Sequence, residues 1–411
     1  MTTTDYDILI IGGGMVGASL AIALRGQPLR IGMVEAAPFR AASQPSYDDR
    51  AIALSQGSRR IFDAMGVWQQ LAPAATPIRR IHVSDQGHFG ITRLDAREEG
   101  VEALGYVITG RALGQGLVTA AGELDNLDLI SPASLCELKL GEDHATAVIE
   151  RDGSREPLTA SLVIAADGGD SAVRRLLDIA VTEKDYHQTA IIANITPQRS
   201  HQHVAYERFT AHGPLALLPL DADDGDNRCS LVWTHDPARS EELLGLDAAG
   251  FLHELQAAFG WRLGRLLKVG QRAGYPLRLI QAREQIRSRL ALIGNAAHTL
   301  HPIAGQGFNL GLRDVAALAQ VLVDARKAGR DPGDLAVLEV YARWRESDHR
   351  KVIGFTNALV HTFSNRFPPL SLARNLGLVA TDLLPPLKHA LARNAMGLSG
   401  KLPRLARGLP L

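Results

Sequence analysis

Cysteine is nearly absent from this chain of 411 residues, which contains only Cys136 and Cys229. Two thiols cannot build a disulfide framework or a zinc site with four cysteine ligands, so a reducing, cytoplasmic setting is the simplest expectation. Net charge is absent too, because 44 lysines and arginines balance 44 aspartates and glutamates. This balance provides no overall attraction to DNA or RNA, and no nucleic acid partner is predicted.

Long apolar runs are also rare, and the sequence predicts no membrane span. The run Ile8–Leu24 contains no charged residue, but Arg25 ends it, short of the roughly 20 apolar residues that a span requires. Asp5 and Asp7 precede the run, where a secretory signal carries Lys or Arg. Glycines interrupt it, so we interpret it as a strand, a tight turn and a helix.

The hydrophobic pattern predicts a parallel βαβ unit at the start of the chain and other secondary structure in the later parts. Alternating runs between about residues 186 and 280 predict a mostly antiparallel sheet, and helical periodicity dominates after Val315. The predicted early elements are the strand Tyr6–Ile11, the helix Met15–Arg25, the strand Arg30–Glu35 and a second helical stretch, Ala51–Leu71.

The segment Gly12–Gly17 is a GxGxxG motif between the first strand and the first helix. Its glycines, Gly12, Gly14 and Gly17, allow a tight turn, a close approach of the backbone to a pyrophosphate, and close packing of helix on strand. Glu35 lies 18 residues after Gly17, where a carboxylate can accept hydrogen bonds from a ribose 2′-hydroxyl. The motif therefore predicts one site for FAD or NAD. No second GxGxxG of this kind follows, which argues against disulfide-reductase-like flavoproteins.

Two later segments carry small and polar residues directly after apolar strands. Asp167–Arg174 begins with an Asp-Gly pair, which by itself is most often a turn. Gly294–His298 and His301–Gly311 form a second glycine-rich stretch that opens a helix. The free N–H groups at such a helix start can stabilise a developing negative charge.

The order of these three motifs resembles that of the FAD-dependent aromatic hydroxylases, the p-hydroxybenzoate hydroxylase-like monooxygenases, over about residues 5–350. Four further segments resemble the ubiquinone-biosynthesis branch of that superfamily: Asp49–Leu54, Tyr206–Phe209, Gly213–Pro219 and Cys229–Trp233. The resemblance implies an α/β fold, with a Rossmann-like FAD-binding domain, an inserted, mostly antiparallel β-sheet substrate domain and a helical C-terminal region. The expected boundaries are 1–78, 101–180 and 283–345 for the FAD-binding domain, 79–100 and 181–282 for the substrate domain, and 346–411 for the C-terminal region.

The resemblance also implies which residues meet the cofactor. Asn295 departs from the family pattern, which has Asp there, but an amide can still hydrogen-bond ribityl hydroxyls. The implied contacts are Gly12, Gly14, Gly17 and Glu35 with the ADP half, Arg50 and Arg111 with the pyrophosphate and ribityl region, Asp167 with FAD and NAD(P)H, Asn295 with the ribityl chain, and Pro302, Gly305, Gly307 and Asn309 beside the isoalloxazine.

The reaction implied by the resemblance is ring hydroxylation of a polyprenylated methoxyphenol in ubiquinone biosynthesis. It would use FAD, O₂ and NAD(P)H or another reductant, and proceed through a flavin C4a-hydroperoxide. No catalytic residue and no metal ligand is predicted. His298 and His301 lie in the right segment to act as a base, but a structural role is equally compatible with the sequence.

Three alternatives stay open at this stage. The enzyme could hydroxylate another ring position or a small aromatic acid, or the chain could be a non-catalytic flavoprotein subunit of a biosynthetic complex. The tail after Asp382 carries five Lys or Arg residues and no acid. It could contact a membrane surface or a partner of such a complex, or pack on its own chain.

Overall fold

We describe a computed structural model that covers residues 4–40, 48, 50–221, 227–300, 305–363 and 368–411. His301 and Pro302 lie outside the described residues. The strands in chain order are β1 Tyr6–Ile11, β2 Ile31–Val34, β3 Ala51–Ser55, β4 Thr76–Ile78, β5 Arg80–Asp85, β6 Ile91–Asp95, β7 Gly105–Thr109, β8 Leu127–Ile130, β9 Ser134–Leu140, β10 Ala145–Arg151, β11 Ser154–Ala165, β12 Val181–Pro197, β13 Val204–Thr210, β14 Gly213–Leu220, β15 Arg228–His235, β16 Leu266–Val269, β17 Ala273–Ala282, β18 Ile286–Arg287, β19 Leu290–Leu292 and β20 His298–Thr299. The helices are α1 Met15–Ala23, α2 Gln56–Ala64, α3 Trp68–Leu71, α4 Gly110–Gly122, α5 Ala172–Leu176, α6 Pro237–Gly245, α7 Ala248–Phe259, α8 Gln306–Lys327, α9 Leu335–Phe363, α10 Pro368–Leu383 and α11 Pro385–Ala395.

The first sheet is built around a parallel core, with β1 between β2 and β11. Ile8 of β1 lies opposite Ile31 and Leu162 in these two parallel pairs. The strand order continues through β8 beyond β2 and through β19 beyond β11. Its apolar side chains pack on one face against α1, α4 and α8 and on the other against β9, β10 and α5. The predicted βαβ unit is present. Its apolar parallel strands are covered by helices, as buried parallel strands generally are.

The second sheet is mostly antiparallel, in the order β20-β17-β12-β15-β14-β13-β5-β6. The pairing of β5 with β13 is its parallel step. One face packs against α7, where Phe251, Leu255 and Phe259 meet Leu217 and Leu231 of the sheet. The other face is left for a cavity.

The prediction of a helix over Ala51–Leu71 is wrong for its first five residues. Ala51–Ser55 forms β3, which pairs antiparallel with β7. The helix begins only at Gln56, where the hydroxyl of Ser55 accepts a hydrogen bond from the Ser58 N–H at 3.1 Å. Pairing with β7, which lies at least 50 residues further along the chain, determines the conformation of this segment. A pattern read from neighbouring residues cannot show such a pairing.

The C-terminal region is helical and its basic tail packs on the chain. The expected domain boundary between residues 345 and 346 lies inside α9, and the domain boundaries stay a prediction. Lys388 pairs with Glu98 at 2.8 Å, and Leu405 and Ala406 are buried. None of the described helices combines the length and hydrophobicity that a membrane span needs.

Candidate active site

A cavity of about 1310 Å³ extends from the carboxyl ends of the parallel strands to the open face of the second sheet. Its first part is walled by the turns after β1, β2, β11 and β19. Its second part is walled by β5, β6, β13, β14 and β15 and by the helices α10 and α11. One continuous space therefore joins the predicted nucleotide site to the inserted sheet.

The glycine turn after β1 brings the start of α1 to the wall of this cavity. Gly12 has φ +102°, a left-handed value that favours glycine. A Cβ on Gly17 would lie 1.9 Å from the carbonyl oxygen of Gly12, so this position packs helix against turn and does not line the cavity. Gly14 precedes α1 and does line it. The first N–H groups of α1, which have no partner within the helix, are suited to a phosphate there.

The carboxylate of Glu35 closes the same turn from the end of β2. It accepts hydrogen bonds from the N–H of Gly13 at 2.6 Å and from the N–H of Ala37 at 2.8 Å. Because each oxygen of a carboxylate can accept more than one bond, the group can still receive a ribose hydroxyl. Glu35 lies on the cavity wall.

Asp167 bonds within the Asp-Gly segment, and Arg174 joins that segment to the loop after β19. Asp167 Oδ2 accepts the N–H of Val173 at 3.1 Å, while its Oδ1 is buried with no partner among the described residues. Arg174 donates to the carbonyls of Gly169 and Ala296, the latter at 2.7 Å. Burial lowers the pKa of Arg174, although the nearby carboxylates Asp167 and Asp170 oppose that shift.

The second glycine-rich stretch presents open backbone to the cavity. Asn295 is exposed on the cavity wall. Gly305 takes a left-handed φ of +61° at the start of α8. A Cβ on Gly307 would meet no atom of the described residues within 4 Å. A flat ligand therefore has room against this loop.

Asn309 also lies on the wall, but its amide is used within the protein. Its Oδ1 accepts bonds from the Ser55 N–H at 2.8 Å and the Ser58 hydroxyl at 2.7 Å. Its Nδ2 donates to the carbonyls of Ala53 at 2.7 Å and Gly305 at 2.6 Å. The side chain thus joins the start of α8 to β3 and α2, and the predicted contact with the flavin stays a prediction.

The two predicted arginines lie in different surroundings. Arg50 lines the cavity, pairs with Asp48 at 2.5 Å, and stacks 4.9 Å from the centre of the Tyr275 ring. Arg111 lies exposed in the first turn of α4, outside the set of described wall residues, with its N–H bonded to the Asp48 carbonyl at 2.7 Å. Pro302 lies outside the described residues.

His298 is part of a buried ionic cluster and does not line the cavity. Its Nε2 is 2.7 Å from Asp314 Oδ2, and His349 Nε2 and Arg345 Nε each lie 2.7 Å from Asp314 Oδ1. Burial alone would raise the pKa of Asp314, but His349, Arg345 and His298 lower it well below its usual range. This geometry favours the structural interpretation of His298.

The sequence assigned the inserted sheet to a substrate domain but named none of its residues as site residues in the second part of the cavity. Alternation along β13–β15 could have marked the face that lines it, because every second side chain points the same way. The approach of α10 and α11 had no local signal. The described apolar wall consists mainly of Ile78, Ile81, Val83, Leu94, Ala205, Phe209, Ala216, Leu218, Val232, Leu378, Leu391 and Ala395.

The residues present fit a flavin dinucleotide. The unpartnered Asp167 Oδ1 offers an acceptor, the start of α1 offers N–H donors, and the open backbone at Gly307 leaves space for a planar ring. A carboxylate at the end of β2 completes the expected adenosine side. The contacts named for individual residues stay predictions.

Comparisons with known proteins agree with this site. The family model described as FAD binding domain matches residues 5–356. The chain is 39% identical to the ubiquinone hydroxylase UbiL of Rhodospirillum rubrum, over 98% of this chain and 93% of that protein. It is 36% identical to the 3-demethoxyubiquinol 3-hydroxylase of Escherichia coli, over 97% of this chain and 100% of that protein.

A solved structure shares the fold at lower identity. The p-nitrophenol 4-monooxygenase PnpA of Pseudomonas putida superposes with a TM-score of 0.79 at 19% identity, over 96% of this chain and 98% of that one. The family match covers the nucleotide part of the cavity and the strands of its second part and ends before α10 and α11, and the curated relatives span nearly the whole chain. The chain therefore belongs to the FAD binding domain family and is an FAD-dependent monooxygenase.

Proposed function

We propose that this enzyme hydroxylates the ring of a prenylated methoxyphenol in ubiquinone biosynthesis, as the names of its relatives suggest. The observation that supports it is the apolar second part of the cavity. Its wall is formed mainly by apolar side chains from the second sheet, α10 and α11. Such a wall suits a substrate with a hydrocarbon tail.

FAD, when bound, supplies the activation of O₂, with NAD(P)H proposed as the transient electron donor. The chain's own residues bind the cofactor and orient the substrate. We assign the phosphates to the start of α1 beside Gly14, the adenosine ribose to Glu35, and the ribityl side to Asp167 and Asn295. The apolar wall excludes water from the space where the ring would react.

A small aromatic acid fits this wall less well. Recognition of a carboxylate calls for an arginine available to it. Arg374 lines the cavity, but its guanidinium is bound to Asp85 at 2.6 Å. This pairing favours a neutral phenol over a charged acid.

The test uses 2-methoxyphenols with zero, one, two and three prenyl units on the carbon beside the hydroxyl, opposite the methoxy group. Each buried CH₂ contributes about 0.8 kcal/mol, so one five-carbon unit contributes roughly 3–4 kcal/mol when fully buried. We expect apparent affinity to rise steeply over the first one or two units and then to level off. Hydroxylated product is measured together with NAD(P)H oxidation, because uncoupled peroxide release also consumes the reductant.

Hydroxylation para to the phenol oxygen is the expected product. The likeness to the 3-demethoxyubiquinol 3-hydroxylase favours a second candidate, hydroxylation of another ring position. Mass spectrometry and NMR of the product from a methoxyphenol and from a demethoxyquinol distinguish the two. Turnover that ignores the tail and prefers a carboxylated ring would contradict the proposal. Purified enzyme with FAD but no substrate-dependent oxygen use would instead indicate a non-catalytic subunit.

We also propose that α10 and α11 lie against the membrane that holds such a substrate. Leu378 of α10 and Leu391 of α11 line the cavity, while Leu383 and Leu387 on the same two helices are exposed. Helices that are apolar on both sides suit a lipid surface beside the cavity. In a liposome flotation assay, the native protein should rise with the vesicles, and less of a Leu383→Ser/Leu387→Ser variant should do so. Equal binding of both would contradict this contact.

A further inference from the structure

One carboxyl group on the apolar part of the cavity wall has no partner in the part of the chain that the structure describes. Glu207 is in the middle of β13, opposite Ala216 of β14 and Val83 of β5. Both of these neighbours line the cavity, as do Ala205 and Phe209, two residues before and after Glu207. Because side chains alternate along a strand, Glu207 points into the cavity with them, and Arg208 points to the opposite face.

Three other polar side chains of this part of the wall are already engaged, whereas the hydroxyl of Thr234 on β15 is buried there with no partner among the described residues. The hydroxyl of Thr92 donates to the Leu378 carbonyl at 2.7 Å, and that of Thr381 to the Gly377 carbonyl at 2.8 Å. Arg374 is held by Asp85. No hydrogen bond or ion pair among the described residues involves the Glu207 carboxyl. Glu207 is half-buried on this wall, and a partly desolvated acceptor without a partner is unfavourable unless a ligand supplies one.

We propose that the Glu207 carboxylate accepts the hydroxyl of the phenolic substrate and takes its proton. The phenol O–H bond breaks, its electron pair stays on the phenol oxygen, and the O–H bond of the carboxylic acid forms, so no oxidant or reductant is consumed. The anionic ring is richer in electrons and reacts faster with an electrophilic oxygen. Glu207 thereby orients the ring by its oxygen while the tail occupies the apolar wall. This inference rests on the proposed function.

The surroundings of Glu207 suit a proton acceptor near neutral pH. Burial raises the pKa of Glu207 to about 7, where a base is most effective. Among the described residues around it, β5 and β14 present Val83 and Ala216, and α10 presents Arg374, whose charge is neutralised by Asp85. The charged groups Arg50, Asp48 and Asp167 belong to the nucleotide part of the cavity.

The experiment compares a phenol with its methyl ether on the FAD-loaded enzyme. The probes are 2-methoxy-6-geranylphenol and the same molecule methylated at the phenol oxygen, and binding is followed by the change in flavin absorbance without reductant. A hydrogen bond to a charged group predicts that the native enzyme binds the phenol about tenfold or more tightly than the ether. Glu207→Leu should remove this preference, and Glu207→Gln should reduce it.

Turnover provides an independent measure. In the native enzyme kcat/KM should rise as the pH passes about 7, and Glu207→Gln should lose this rise and keep its FAD. Glu183→Gln is the matched control, because Glu183 lies on the same sheet, is exposed, and pairs with Arg278 at 3.1 Å.

The outcomes separate the two proposals. An unchanged preference for the phenol over the ether in both Glu207 variants would overturn the role of Glu207 and leave the proposed function standing. Failure of the native enzyme to bind either geranylated probe would overturn the prenylated substrate itself, and the inference with it.

Discussion

At the scale of single residues, the glycines of the site have two different roles. Some are required by the fold, because a Cβ atom there would clash with the protein, and others leave space for a ligand. A Cβ on Gly17 would meet the carbonyl oxygen of Gly12 at 1.9 Å. Among the residues that the structure describes, a Cβ on Gly307 would meet no atom within 4 Å, although Gly307 lies on the cavity wall. The first glycine is required by the fold, and we expect the second to be required only by the cofactor.

Gly307→Val should therefore lower FAD affinity at least tenfold without harming the fold. The added side chain enters the space assigned to the flavin, while the free energy of unfolding of the FAD-free protein should change by less than about 0.5 kcal/mol. FAD binding is measured by fluorescence titration and stability by urea unfolding. Gly354→Val is the control, because Gly354 is an exposed helical glycine, with no atom within 4 Å of its Cβ. If Gly307→Val bound FAD with native affinity, the assignment of the flavin to this loop would be contradicted.

Glu207→Gln should stabilise the protein at high pH and not at low pH. The native pKa of about 7 lies above the ordinary value of 4.5, so the unfolded chain releases this proton first as the pH rises. The loss of folding stability caused by Glu207 in the native protein therefore grows from about pH 4.5 to pH 7 and then stays constant, at about 2–3 kcal/mol. Urea unfolding at pH 8 should show this gain for the variant, and unfolding at pH 4.5 should show nearly none. A gain independent of pH would contradict the buried carboxylate.

At the scale of elements, the cluster around Asp314 holds the loop after β19 against α8 and α9. Asp314 is fully buried on α8, and its partners come from the loop through His298 and from α9 through Arg345 and His349. The three His and Asp groups have ligand atoms within 4.8 Å of one another. Arg345 shares their carboxylate and supplies the positive charge that a metal ion would otherwise bring.

Asp314→Asn should destabilise the protein by about 3–5 kcal/mol, because it leaves a buried arginine poorly compensated. The matched control is Asp324→Asn on the same helix, where an exposed pair with Arg404 predicts a loss below about 1 kcal/mol. Urea unfolding of both variants measures the difference. Similar losses would mean that the cluster does not anchor the loop.

At the scale of the whole molecule, the chain returns at its C-terminus to the first core it forms. Leu405 and Ala406 are buried with residues of α1, α4 and α8. The carbonyl of Met396 accepts the Gly57 N–H at 2.8 Å. The residues after α11 therefore close the FAD-binding part of the fold, and the membrane contact proposed for the tail concerns α11 and the preceding α10.

Leu405→Ala should cost about 2–4 kcal/mol of stability, as expected for a buried leucine that leaves a cavity. Leu409→Ala, four residues away, is the control, because Leu409 is 45% exposed whereas Leu405 is 2% exposed. Thermal and urea unfolding of the two variants measure the contrast. Equal stability of both would show that the tail adds nothing to this core.

The sequence by itself determined the parts of this protein that depend on local chemistry. The apolar run Tyr6–Ile11 predicts β1, the glycine turn predicts the start of α1, and Glu35 predicts the end of β2. Each of these signals depends only on residues that are near one another in the sequence. The motifs at Asp167 and Asn295 could be found in the same way, and the structure brings both to one cavity wall.

Only the tertiary structure decided the features that depend on distant partners. Ala51–Ser55 becomes a strand because β7 pairs with it, and the amide of Asn309 is used by β3 and α2 rather than left open. The burial of Glu207 requires the second sheet, α10 and α11 to meet, and that of His298 requires α8 and α9. Hydrogen bonding and desolvation act through space, so residues far apart in the chain set the chemistry of each of these groups.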